Sequence, residues 1–150
     1  MTSSSVCTLE NTRQWFLKAV PNPTSKNIST QIGCHLEEVA EMLETISSVN
    51  KDDAKIIASL NDAIVYVANR VKQNGGIVVK DRIGLLDSLA DQIVTATGVG
   101  TFLGMNVPGA LAEVNRSNYS KFEDGEPVFN ENKKVMKGKD YTPPDLTPYI

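Results

Sequence analysis

Between Thr30 and Val71 the apolar residues fall three and four apart almost without a break, and that spacing limits this part of the chain to α-helix. Ile32, Leu36, Val39, Ala40, Leu43 and Ile46 share one side of a helix over about Thr30–Ser48. A second helix starts at Asn50 or Lys51. Ile56, Ile57, Leu60, Ala63, Ile64, Val67, Ala68 and Val71 repeat along it until Asn74-Gly75-Gly76 ends it. Two long helices joined by so short a link make a hairpin.

The rest of the chain extends an all-α plan. Leu9–Val20 carries Leu9, Trp15 and Phe16 as a short apolar face and stops at Pro21-Asn22-Pro23, so Pro21–Asn27 is expected to be loop. Ile77-Val78-Val79 is a connector with strand-like composition, too short to be a strand of its own. A helix from Asp81 to about Gly104 follows, and its half Gln92–Gly104 holds no charged residue, so protein rather than water is expected around most of it. Gly98, Gly100 and Gly104 weaken it as a helix and permit close backbone approach. A shorter helix spans about Val107–Ser120, with Pro108 in its first turn. Phe122–Ile150 has no period and contains Pro143-Pro144; it is an irregular tail. The expected architecture is a single domain over 1–150, an antiparallel bundle of about four main helices, with residues 1–7 disordered and 122–150 contributing to the site.

Composition narrows the function classes. The formal net charge of −3 offers no general attraction for nucleic-acid phosphates, so nucleic acid is not an expected partner. No apolar run approaches the roughly 20 residues of a membrane span, and Met1–Val6 lacks the basic-then-apolar pattern of a signal peptide, which points to a cytoplasmic protein. Cys7 and Cys34 lie far apart without a second pair, so they read as ordinary thiols rather than as a zinc site or disulfide framework.

Acidic residues carry the chemical signal. Glu37, Glu38, Glu41 and Glu44 crowd one helix, and no lysine or arginine stands between Ser29 and Asn50 to offset them. A solvated acidic face is the competing explanation. Asp87 and Asp91 tilt the balance, because they lie one turn apart on a mostly apolar helix, where an unpaired carboxylate is costly to bury. Arg82 and Lys80 could neutralise them only from the first turn. Hard carboxylate oxygens suit magnesium or manganese. A di-iron bundle needs two Glu-x-x-His pairs, and the one histidine, His35, precedes its glutamates and reads as a surface or supporting residue.

His35-Leu36-Glu37-Glu38-Val39-Ala40-Glu41 resembles the Glu-Glu-x-x-Glu half of the MazG-like, all-α nucleoside triphosphate pyrophosphohydrolases. Leu86-Asp87-Ser88-Leu89-Ala90-Asp91 resembles the second, Glu-x-x-Asp, half, except that Ser88 occupies the glutamate position and Asp87 is the available substitute. Glu113-Val114-Asn115-Arg116-Ser117-Asn118-Tyr119-Ser120-Lys121, followed by Lys137-Gly138-Lys139-Asp140-Tyr141-Thr142-Pro143-Pro144-Asp145-Leu146, is similar to the C-terminal signature of short, often phage-encoded members. The resemblance runs from about Gln31 to Leu146. It implies hydrolysis of a nucleoside triphosphate to the monophosphate and pyrophosphate, with Mg²⁺ held by Glu38, Glu41, Asp87 and Asp91 and with Glu37 or Glu38 as the base beside Glu41.

Arg116, Asn118, Lys121, Lys137 and Tyr141 become the expected nucleotide-binding set, since amides, hydroxyls and ammonium groups all donate to phosphate oxygens. Trp15 and Phe16, like Tyr141, are stacking candidates, with packing the reading that such residues more often take. Family members are generally dimers or tetramers, so a homodimer or homotetramer is expected, in the host cytoplasm if the chain is phage-encoded. Phage-type relatives include deoxynucleotide-pool enzymes, and dGTP or GTP is the first substrate to try. The alternative class is a non-catalytic nucleotide-binding or helical protein-interaction module.

Overall fold

The computed structural model describes residues 7–131 and 134–150. The chain is all-helical: α1 Thr8–Ala19, α2 Ser25–Glu44, α3 Lys51–Asn74, α4 Arg82–Phe102 and α5 Val107–Tyr119, with a short 3₁₀ turn at Thr147–Tyr149. Among the described residues no helix is long and apolar enough to cross a membrane. The expectation of disorder at the N-terminus falls, apart from Cys7, outside the described residues.

The described residues form two compact units. One is built from Asn22–Val79; the other joins Met1–Pro21, in its described part, to Lys80–Ile150. The Asn22–Val79 unit is the α2–α3 hairpin. α2 begins at Ser25, five residues before the apolar period, because Thr24 and Asn27 form a reciprocal cap: the Asn27 backbone N–H donates to Thr24 Oγ1 and the Thr24 N–H donates to Asn27 Oδ1. It ends at Glu44, short of the Ser48 that periodicity suggested. Asn50 caps α3, accepting from the N–H groups of Asp52 and Asp53, and Gly75 closes it with a φ of 66°.

Small residues set the hairpin seam. Gly33 and Ala40 of α2 and Ala68 of α3 are buried, and a Cβ on Gly33 would lie 2.9 Å from the Ala68 carbonyl oxygen. The open end is fastened by polar contacts. Lys26 Nζ donates to the Gln73 carbonyl at 2.9 Å, and the Ile77 N–H donates to the buried Ser29 hydroxyl at 3.2 Å. Ile57, Ile64 and Val71 are half-buried, whereas Ile56, Leu60 and Val67, the second apolar stripe of the same helix, remain exposed.

In the other unit α1 packs on α5. Trp15, Ala19 and Phe122 are its buried apolar centre, with Val20, Tyr119 and Val135 around them. The Trp15 and Phe122 rings stack with centroids 5.7 Å apart and planes 7° from parallel. Trp15 Nε1–H donates to the Asn118 carbonyl at 2.9 Å, which identifies Trp15 as a packing residue. Asn115, buried, ties the helices together: its Oδ1 accepts from Thr12 Oγ1 and its Nδ2 donates to the Thr8 carbonyl, both at 2.9 Å.

α4 departs from expectation. Among the described residues of its own unit it packs only against α5, at its C-terminal end, where Val107 sits against Gly100. Of the three glycines only Gly100 is buried; a Cβ at Gly98 or Gly104 would meet nothing within 4 Å. Ile83, Leu86, Val94 and Phe102 are exposed at different angles round the helix, so the protein cover that its missing charges predict is not supplied by the described residues of its own unit.

Candidate functional site

Glu37, Glu41 and Glu44 are four and then three residues apart, which places them along one side of α2. With Ala40, Thr45 and Val65 they line an open cavity of about 630 Å³ in the hairpin. Glu37 is half-buried and forms an ion pair with Lys72 of α3, a partner 35 positions away that lies outside α2. Glu38 is exposed and lies off the cavity lining; Glu44 takes a place there that the sequence motif did not assign to it. The helical interval from Glu37 through Glu41 to Glu44 was the available signal. His35 is exposed on α2, and both cysteines are free.

Asp87 and Asp91 lie one turn apart on α4, in the other unit. Among the described residues neither Arg82 nor Lys80 forms an ion pair with them, and no three His, Cys, Asp or Glu side chains are grouped closely enough to cage a metal ion. The donor chemistry still fits Mg²⁺, which is commonly held by one or two carboxylates with water and substrate phosphates completing the shell.

Of the expected nucleotide-binding residues, Arg116 and Asn118 lie in the last turn of α5 and Lys121 just beyond it, while Lys137 and Tyr141 lie on a tail whose backbone is hydrogen-bonded to that end. The tail turns at Glu123-Asp124-Gly125-Glu126, with φ of 50° at Asp124 and 83° at Gly125, and from Gly138 onward its hydrogen bonds follow α5 in the opposite direction. The Gly138 N–H donates to the Lys121 carbonyl at 3.1 Å, and a Cβ on Gly138 would stand 2.6 Å from that oxygen. The Lys139 N–H donates to Glu123 Oε1 at 2.8 Å. The Thr142 N–H donates to Ser120 Oγ at 3.0 Å, while the buried Ser117 hydroxyl donates to the Thr142 carbonyl at 2.9 Å. The Asn106 N–H, finally, donates to the Tyr149 carbonyl at 2.8 Å.

This path brings Gly138, next to Lys137, to the Lys121 carbonyl, and Thr142, next to Tyr141, to the Ser120 hydroxyl. Lys137 Nζ stands 4.8 Å from the centre of the Tyr141 ring, and Lys121 Nζ donates to Asn118 Oδ1 at 2.7 Å while lying 5.9 Å from the Trp15 ring. Arg116 is engaged differently. Its guanidinium makes a two-point pair with Glu113, at 2.9 and 2.7 Å, and donates to Thr142 Oγ1 at 2.6 Å and to the Pro143 carbonyl at 3.0 Å. The hydrogen bond from Arg116, then that from the Asp145 N–H, hold the Glu113 carboxyl at about 2, against an ordinary value of 4.5. Glu113 and Thr142 lie within the C-terminal signature but have no role assigned from the sequence, although the interval of three between Glu113 and Arg116 was legible.

No family model matches the chain, no curated protein is significantly similar to it, and no solved structure significantly matches its fold.

Proposed function

We propose that this chain is a Mg²⁺-dependent nucleoside triphosphate pyrophosphohydrolase of MazG-like type, cleaving between the α and β phosphates to release a nucleoside monophosphate and pyrophosphate. One arrangement carries the proposal: the tail returns Lys137 and Tyr141 to the end of α5 that bears Asn118 and Lys121, gathering amide, ammonium and aromatic groups suited to a nucleotide. Glu37, Glu41 and Glu44, aligned on an open cavity of α2, are the second support. The resemblance assigns the metal, which when bound supplies charge neutralisation for the triphosphate, to Glu38, Glu41, Asp87 and Asp91. Because Lys72 engages Glu37, Glu38 is the better candidate to take a proton from the attacking water. Lys121, Lys137 and Asn118 orient the phosphates and stabilise charge developing on the leaving pyrophosphate, and Tyr141 offers a face to the base.

Pyrophosphate release from a panel of ribo- and deoxyribonucleoside triphosphates with Mg²⁺, beginning with dGTP and GTP, tests this directly. The expected result is turnover by wild type that falls on the order of 100-fold or more in Glu38→Gln and Asp91→Asn. Equal inactivity of wild type and both variants on every nucleotide rejects the enzyme. A second reading, a non-catalytic nucleotide-binding or helical interaction module, is favoured by α4, whose apolar circumference its own unit leaves uncovered. Both readings share a homodimer or homotetramer, which light scattering on the purified chain measures.

A further inference from the structure

We infer that Glu113 and Arg116 form a positioning pair: Arg116 serves the nucleotide by fixing the tail segment that carries Lys137 and Tyr141, and does not itself bind phosphate. This rests on the nucleotide site proposed above and goes beyond it by separating the residues that touch substrate from the residues that place them.

The guanidinium has few donors left for a ligand. Both of its contacts to Glu113 are charge-assisted, and two more reach tail atoms, Thr142 Oγ1 and the Pro143 carbonyl. Glu113 faces the tail too, since its Oε1 accepts from the Asp145 N–H at 3.0 Å. Both members of the pair therefore hold α5 on one side and backbone or side-chain atoms of residues 142–145 on the other. Ser117 and Ser120 grip Thr142 from the next turn of α5. Tyr141 immediately precedes Thr142, and its own N–H closes a turn onto the Gly138 carbonyl at 3.2 Å, so the placement of Thr142 passes directly to Tyr141 and, through that turn, to Lys137. A phosphate drawn to Arg116 would also have to displace a carboxylate already paired with it at two points.

The two roles predict opposite effects for Glu113→Gln. If Arg116 touched the nucleotide, removing the competing carboxylate would leave affinity unchanged or improve it. For a positioning pair, E113Q and R116Q each raise KM for the best nucleotide of the panel by on the order of 10-fold, with kcat changed far less, and the double variant is no worse than the worse single one. R116K, which keeps the charge but loses the planar fork, behaves like R116Q. Amide hydrogen exchange at Thr142 and Asp145 quickens in each single variant without any nucleotide present. Thr142→Val, which leaves the α5 pair intact and deletes the tail hydroxyl, raises KM in the same direction and guards against misfolding of the α5 variants.

E113Q that binds as well as wild type while R116Q does not makes Arg116 a phosphate ligand and overturns the inference. So do unchanged KM values in all variants, which leave the pair with a purely structural role. Wild type that binds and hydrolyses no nucleotide removes the parent proposal instead, and this inference with it, even where the exchange data show the tail loosened.

Discussion

α4 and the tail invert the usual relation between regularity and anchorage. α4 is an uninterrupted helix of 21 residues, yet within its unit only its last turns pack against α5. The tail has no period, but its backbone is fastened to α5 at Gly138, Thr142, Asp145 and Tyr149. A helix satisfies its own N–H and C=O groups and can stand with little support; an irregular segment must take its hydrogen bonds from neighbours and is thereby held in place. Local order in α4 says little about where it docks, whereas the tail is ordered only because it is docked.

The largest test of that contrast is Trp15→Ala. Losing the stack on Phe122 should cost about 3–5 kcal/mol and free the tail together with α1, read as a lower thermal midpoint and early proteolysis beyond Phe122. A tail still protected in that variant would mean its anchorage does not depend on the core. Gly138→Ala forces a Cβ against the Lys121 carbonyl and should cost about 1–3 kcal/mol, with the damage confined to tail amides by hydrogen exchange. Spread of that loss into α4 would break the contrast.

Acid provides a gentler probe. Because the folded Glu113 carboxyl sits at about 2, below its ordinary 4.5, its pairing stabilises the fold fully above pH 4.5 and fades as pH falls toward 2. Acid unfolding of Glu113→Gln should show a correspondingly weaker dependence over that window, and an identical acid limb in both proteins contradicts the pairing. The smallest effect is expected on α4 itself. Phe102→Ser should shift monomer stability by no more than about 0.5 kcal/mol, measured in urea at a concentration where the chain is monomeric. A larger loss would show that something in the same chain covers that helix.

All five helices were legible in the sequence because each has a 3.6-residue period or a strong stop: Gly75 after α3, Pro21 after α1, Pro108 at the start of α5. The start of α2 was not, since its cap uses Asn27 where the common motif has glutamate, and it lies among residues that otherwise spell loop. At the candidate site, the one-sided run of α2 acids could be read from spacing alone, but the Lys72 partner of Glu37 arrives through the hairpin fold. The route of the tail had no signal of its own. It is written in single side chains, Glu113, Arg116, Ser117 and Ser120, whose partners are mostly backbone atoms and leave no pattern in sequence.

The hairpin interrupts the unit to which α1 belongs, and this bears on the order in which the chain can fold. Thr12 must find Asn115, and Trp15 the carbonyl of Asn118, each 103 positions away, while the contacts that close the hairpin span fewer than 50. Local contacts form sooner than distant ones, so α2 and α3 should pair before α1 reaches α5. Once they do, the Ser29–Ile77 hydrogen bond brings the two ends of the insertion together and shortens the loop that α1 has to close. Halving that loop lowers its closure cost by about 0.6 kcal/mol, a modest sum that favours the hairpin as the first step of assembly.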